Sequence, residues 1–324
     1  MHRQIDDIVE TLRTAKQRGV STVVLTGAGC SVSAGIPTAA GFVNLIKDRY
    51  PRSYERAQIK QYPHCMAQLS VNERRDLIVE YIEKAKINWA HVGLAQLIAR
   101  GFIDRVLTTN FDPLVMRACA MADIFPAIYD FAASQYFKPA DINGHSIFHL
   151  HGQHTGFVLL NTEEECTRHA THLAPVFEEA GRRRVWLVVG YSGESDPVFE
   201  HLARVEKFDN KLYWIGYKDH EPPRHVRERL LSGNKDAYYV NGFDADEFFV
   251  TLAQRLECFP PDFIARPFSH LDKRMQQLAP FRLPNQVVSS NVVHITHQLI
   301  RQAKDLFEER PATTVPVDRN IVEA

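Results

Sequence analysis

The chain lacks any apolar run long enough to cross a bilayer: no stretch approaches the ~18 apolar residues that a membrane helix needs. Its opening, MHRQIDDIVE, alternates charged and apolar residues where a secretory leader would carry an apolar block, so the sequence reads as cytoplasmic and not membrane-bound. It also lacks a prevailing charge. With 38 Lys+Arg against 39 Asp+Glu, the net charge of -1 excludes a global field that would draw nucleic acid, a membrane surface or an acidic partner. Any polyanion must be met by local groups. Cysteine is scarce: Cys30, Cys65, Cys119, Cys166 and Cys258 are scattered, odd in number and without a CxxC pair, which argues against a disulfide framework and against a four-cysteine zinc site. What the 324 residues do have is 45% hydrophobic content, enough for one large domain or a domain with an appendage.

Ile5, Ile8, Val9 and Leu12 fall at helical spacing, so an amphipathic helix precedes the first strand and is expected to serve as a lid or an oligomer contact. Strand-like runs follow at 22–25, 103–107, 146–150, 185–189, 211–215 and 237–240, with helical periodicity at 90–98, 113–119 and 197–205. Six strands separated largely by helical segments predict an α/β fold, a Rossmann-like doubly wound parallel sheet. A charged, helix-forming stretch at about 50–88 reads as a small helical insertion over the cleft. Beyond Phe259 the chain passes Pro260, Pro261, Pro267, Pro280 and Pro284, then a helix-like segment at 292–308 and the tail ERPATTVPVDRNIVEA. This divides the chain into a domain at 1–258 and a Pro-rich linker with a helical extension at 259–324, which would suit the start of a sensor domain.

Five segments at predicted strand ends could carry chemistry. The run from Gly27-Ala28-Gly29 through Ser31 to Ile36-Pro37 offers glycines that let backbone approach a pyrophosphate, and equally suits a plain structural turn. Its spacing is not GxGxxG, and no acidic residue ends a second strand to take a ribose, which disfavours a hydride-transfer enzyme; no GxxxxGK[ST] loop is present for ATP hydrolysis. Thr108-Thr109-Asn110-Phe111-Asp112 places an amide and a carboxylate where ligands of open α/β sheets sit, though Asp112-Pro113 also suits a helix cap. In His149-Leu150-His151-Gly152-Gln153-His154 the strand period puts His149 and His151 on one side, and Gly152 lets the chain turn. His151 suits general-base work because imidazole titrates near neutrality; a metal site would need a further ligand that the sequence does not supply. In Gly190-Tyr191-Ser192-Gly193-Glu194-Ser195-Asp196, small hydroxyl residues suit ribose or phosphate contacts, while Ser195 or Asp196 also suits a helix cap. At Gly216-Tyr217 the glycine would allow adenine or ribose to approach.

In this order, GAGCSVSAGIP, TTNFD, HG and GYSGESDP resemble the sirtuin family over roughly residues 20–256. The resemblance implies NAD+ as substrate, bound across the switch point of the sheet with Gly27, Ala28 and Gly29 against the diphosphate. It implies Ser31, Ile36 and Pro37 near the ribose or nicotinamide, with Thr109, Gly190, Ser192, Asp196, Gly216 and Tyr217 completing the nucleotide site. It further implies His151 as general base, Asn110 positioning water or ribose, and Asp112 recognising the carboxamide. The zinc-bearing deacylases of the family carry two CxxC pairs after HG, where this chain has only Cys166 between His154 and Arg184, so no metal is expected. The Asp-Phe-Arg that follows GIP in deacylases is replaced by Thr38-Ala39-Ala40.

The pattern is similar to the zinc-free sirtuin-like NADase domains of bacterial anti-phage defence proteins. That likeness implies an NAD+ glycohydrolase cleaving NAD+ to nicotinamide and ADP-ribose, an effector of abortive infection. It also implies a homo-oligomer and a phage-derived activator or a fused or associated sensor domain. Alternatives are an NAD-dependent protein deacylase or ADP-ribosyltransferase, and a non-catalytic NAD or ADP-ribose sensor.

Overall fold

The computed structural model describes residues 3–133, 138, 142, 144–156, 158–194, 196–279 and 288–308, the side chains of 288–293 excepted. Ser195, Pro280, Pro284 and the tail from 309 onward lie outside the described residues. The chain divides into two compact units, Met1–Phe259 and Pro260–Ala324.

In the first unit the order is α1 (Ile5–Gln17), β1 (Thr22–Thr26), α2 (Ala39–Arg49), α3 (Pro51–Arg56), α4 (Tyr62–Met66), α5 (Val71–Lys84), α6 (Trp89–Ala99), β2 (Arg105–Thr108) and α7 (Leu114–Met121). It continues with β3 (Ala127–Asp130), β4 (Ser146–His149), α8 (Glu163–Gly181), β5 (Val185–Val189), α9 (Val198–Ala203), β6 (Leu212–Tyr217), α10 (Arg224–Val226), β7 (Ala237–Phe243) and α11 (Ala245–Arg255). The strands form one sheet in the order β3-β4-β2-β1-β5-β6-β7, and every pairing is parallel. The chain starts in the middle, builds one side through β2, β4 and β3, then crosses back to β5. The switch point therefore lies between β1 and β5, and the crevice where such sheets hold ligands opens at their carboxyl ends.

The sheet has seven strands rather than six. The additional strand, β3, lies at the edge and is only half-buried; its four residues follow Pro126 and are too short to show alternation. The central strands β1 and β5 are buried throughout, as parallel strands covered on both faces must be. Alternate residues feed two cores. Val24, Leu187 and Val189 join one with α1, α6 and α11, while Val23, Leu25, Trp186 and Val188 join the other with α8 and α9.

Three helices depart from the sequence reading. The apolar face of α1 is spent in the core, with Ile8 and Leu12 essentially unexposed, so its amphipathic pattern marks an internal layer rather than a lid or an oligomer contact. The helical layer read at about 50–88 begins earlier, because Phe42 and Ile46 of α2 share a third core with Met66, Leu77, Ile78 and Ile82 of α4 and α5. The 19-residue α8 was missed in the sequence reading; its signal was Thr162, whose side chain accepts the Glu165 amide while Glu165 reaches back to the Thr162 amide.

In the second unit, α12 (Asp262–Ala265) and α13 (Pro267–Met275) occupy part of the stretch read as a linker. Pro267 sits at the start of its helix, where its missing N–H costs nothing. The last helix, α14 (Val288–Phe307), starts four residues before the position read from periodicity.

Candidate active site

The turn after β1 is built by contact with the turn after β5. The Gly27 amide donates to the Val189 carbonyl at 3.1 Å and the Gly29 amide to the Gly190 carbonyl at 2.8 Å. A Cβ on Gly27 would stand 2.7 Å from the Gly190 oxygen, and one on Gly29 would stand 2.7 Å from the Gly190 Cα. Gly190 itself has φ +64, and a Cβ there would lie 2.5 Å from the Cys30 nitrogen. These glycines are thus required first by backbone meeting backbone across the switch point. The short 3-10 turn Ala28–Ser31 that follows is pinned from behind by Asn88, whose side-chain amide donates to the Cys30 carbonyl at 2.8 Å and to Ser33 Oγ at 2.7 Å. Asn88, missed in the sequence reading, also caps α6, and its place one residue before that helix was the available signal.

A polar chain crosses from this turn to the loop after β2. Asn110 Nδ2 donates to the Gly27 carbonyl and to Ser31 Oγ, both at 3.1 Å. Ser31, fully buried, donates in turn to Asp112 Oδ2 at 2.8 Å. The other Asp112 oxygen accepts the Leu114 amide at 3.0 Å, so Asp112 braces the turn into α7 from just before its cap residue Pro113 and is a member of the network at once. With both Asn110 N–H groups committed, its Oδ1 is left as an acceptor without a partner among the described residues.

His151 follows β4, and its Nε2 lies 3.1 Å from Asp196 Oδ2. The carboxylate only accepts, so Nε2 carries a hydrogen in either charge state, and in the neutral ring Nδ1 holds the lone pair. Nδ1 is buried and has no hydrogen-bond partner among the described residues. Burial pushes the Asp196 carboxyl upward, but the charge and hydrogen bond of His151 outweigh it and hold the group below its ordinary range. The Val198 amide, 2.9 Å from Oδ1, adds to that effect, so Asp196 braces the turn into α9 from just before its cap residue Pro197. His149 does not share the cleft with His151. It lies beneath, its Nδ1 3.1 Å from the Asn110 carbonyl, and burial pushes its imidazole below the ordinary value. The strand ends at His149, so the period of two no longer governs His151.

These groups line one cleft of about 850 Å3 at the carboxyl edge of the sheet, within the size range of cofactor sites. Ala28, Gly29, Ser31, Ile36 and Pro37 line it from the first turn and Thr109, Asn110 and Asp112 from the second. His151, Gly190, Ser192, Asp196, Gly216 and Tyr217 complete the set read from sequence, whereas Gly27 lies behind the surface. Gly216 is required by its neighbour: a Cβ would sit 1.8 Å from the Tyr239 hydroxyl. The helical layer contributes an apolar wall including Phe42, Ile78 and Ile82, together with Tyr62, whose hydroxyl donates to Asn161 Oδ1 at 2.8 Å. That wall was invisible to motif reading because it is apolar and remote in sequence. Among the described residues no group of three or more His, Cys, Asp and Glu is placed to hold a metal ion, and no described helix is long and apolar enough to cross a membrane.

Residues 104–238 match the family model of the SIR2-like domain, under half of the chain. The match takes in the Asn110, His151 and Gly190 loops and leaves out the Gly27 turn. A protein named NAD-dependent protein deacetylase from Haloarcula marismortui is 36% identical over 112 residues, 34% of this chain and 40% of that protein. A second of the same name from Sulfolobus acidocaldarius is 35% identical over 95 residues, 29% of this chain and 36% of that protein. The chain thus spans about two fifths or less of the length of these relatives. A solved Sir2 homologue–NAD complex superposes with a TM-score of 0.48 at 20% identity, covering 79% of this chain and 95% of the other. The sequence comparisons support the sirtuin resemblance.

Proposed function

We propose that the chain is a sirtuin-like NAD+ glycohydrolase that releases nicotinamide and leaves ADP-ribose, acting as an NAD-depleting effector in anti-phage defence. The observation that carries this reading is the convergence of His151, Asn110 and the Ser31–Asp112 pair on one cleft at the switch point. In the reaction the C1′–nitrogen bond breaks, its electron pair neutralises the pyridinium ring, and a water oxygen bonds to C1′ and gives up a proton. Asn110 Oδ1, its amide nitrogen being committed to Gly27 and Ser31, accepts a hydrogen bond from that water and orients it. His151 takes up the proton, balanced by Asp196. The positive charge that passes from ring to sugar sits among carboxylates, Asp112 and Asp196 included, which favours a transition state of oxocarbenium character.

Chromatography of NAD+ incubated with purified protein tests the reading. Free nicotinamide and ADP-ribose are expected from the native chain, and none from His151→Ala or Asn110→Ala chains that retain the native circular dichroism spectrum. Turnover undiminished by either change overturns the assignment of the site. The names of the two relatives favour a second reading, NAD-dependent protein deacylation, which requires that nicotinamide appear only when an acyl-lysine peptide is added. NAD+ that binds and remains intact under both conditions points to a sensor.

A further inference from the structure

At the opposite edge of the sheet from the cleft, the turns that lead into β1 and β5 form a recess of about 270 Å3. These are the two strands of the switch point, paired from Thr22 beside Val185, and the Ser21 carbonyl accepts the Val185 amide at 3.1 Å, so the two turns lie side by side. Four of the seven residues lining the recess are arginines, Arg18, Arg182, Arg183 and Arg184, and none is acidic. Arginine near the end of a helix is ordinarily explained by the carbonyls left free there, and α1 and α8 both end here. At α8 that role is filled by Arg184 alone. Its Nη1 donates to the Glu179 carbonyl at 2.8 Å, while Nε and Nη2 donate to the two oxygens of Asp104 at 3.1 and 3.0 Å. The guanidinium groups of Arg18, Arg182 and Arg183 make no hydrogen bond or ion pair among the described residues. Arg183 also has left-handed backbone, φ +57, a conformation that arginine seldom adopts. Asp209 accepts its amide and Asn210 donates to its carbonyl, both at 2.8 Å, so the turn that carries this side chain is held in place.

We propose that this recess binds the oligophosphate group of a small anionic ligand, at a site separate from the cleft that holds His151. Three guanidinium groups gathered without counter-charge repel one another, and a phosphate chain relieves that repulsion while accepting paired N–H bonds from each fork. Two or three linked phosphates offer each arginine its own oxygens, whereas a lone phosphate must share its oxygens among three. The recess is smaller than the clefts that enclose whole cofactors, so it takes the charged head of a ligand and leaves any remainder on the surface. The arginines meet at one recess rather than along a track, and the chain as a whole has a net charge of -1, which favours a small ligand over a nucleic-acid strand. Inorganic polyphosphate and a nucleoside triphosphate share this chemistry.

The test is calorimetry on the full chain, without divalent cations, using tripolyphosphate, ATP, orthophosphate and a single-stranded oligonucleotide. One tripolyphosphate per chain is expected, bound at least roughly tenfold more tightly than orthophosphate and less tightly as salt rises. The paired change Arg182→Gln and Arg183→Gln, at exposed positions, should weaken it by roughly tenfold or more, and Arg18→Gln, from the other turn, should weaken it as well. Arg52→Gln with Arg227→Gln removes the same charge from exposed positions elsewhere and should leave the affinity unchanged. Equal affinities for ATP and tripolyphosphate would mean that the recess reads the phosphates alone; ATP bound at least roughly tenfold more tightly would make a nucleoside polyphosphate the ligand. The proposal is overturned if neither ligand binds, if binding survives both recess changes, if the control pair weakens it equally, or if the oligonucleotide binds more tightly than either through the same arginines. None of these results bears on the glycohydrolase reading, which concerns the other edge of the sheet.

Discussion

His151 and Asp196 meet from loops 45 residues apart, Nε2 to Oδ2 at 3.1 Å, with each side chain at least four-fifths buried. The carboxylate both orients the ring and balances its charge when protonated. Asp196→Asn keeps the size of the side chain and removes that charge. Nicotinamide release is expected to fall at least roughly tenfold, with NAD+ affinity little changed and the pH at half-maximal rate displaced. A chain that loses NAD+ binding in proportion to its rate would make Asp196 a ligand contact instead. The Asp196 carboxyl is held below its ordinary range in the fold. Its contribution to stability is thus complete above the ordinary carboxylate value and is lost only as pH falls through the lower folded value.

A graded test of the switch point comes from two glycines of left-handed backbone. At Gly190 a Cβ would meet the Cys30 nitrogen at 2.5 Å, whereas at Gly233 it would meet nothing within 4 Å. Gly233→Ala should cost about 1–2 kcal/mol from backbone conformation alone. Gly190→Ala should cost roughly 1–3 kcal/mol more, because loop backbone must move. Urea unfolding separates the two, and equal losses would mean that the approach of the two loops is not as tight as described.

The burial of α1 carries its own expectation. Leu12 is 1% exposed within the main core, so Leu12→Ala should destabilise the chain by about 2–5 kcal/mol. The elution volume of the folded protein should not change. A change in oligomeric state with stability intact would restore α1 as an association surface.

Acid sensitivity should begin near neutrality rather than in the carboxylate range. Burial lowers the imidazoles of His91, His149, His169 and His201 below their ordinary value. The unfolded chain then binds more protons than the fold once pH drops below about 6.5. Stability is full above that value and declines as pH falls toward the lower folded values. Thermal melts between pH 7.5 and about 5 should show a falling midpoint, and His149→Gln should flatten the slope. A midpoint constant over that interval would contradict the neutral, buried state of these rings.

Much of the candidate site was legible because its chemistry sits where strands stop. Predicted strands ended within three residues of those observed, and loops such as Thr109–Asp112 and Gly190–Asp196 follow them directly. Asp112 and Asp196 were each open to two readings, cap or site; each lines the cleft and accepts the first amide of a helix whose cap position is the proline that follows it. The readings that failed concern partners. His149 was grouped with His151 by a periodicity that stops where the strand does, and α1 was taken for a surface helix because an amphipathic pattern states that a face is buried without stating against what.

Local pattern alone determined where strands end and which residues follow them, and in a parallel sheet that suffices to bring all the loop chemistry to one edge. The order of the strands, and with it the contact of Gly29 with Gly190 and of His151 with Asp196, was decided only in three dimensions. So was the apolar wall that α2 and α5 give the cleft. Each is a relation between segments far apart in the chain, held by close packing that no periodicity records.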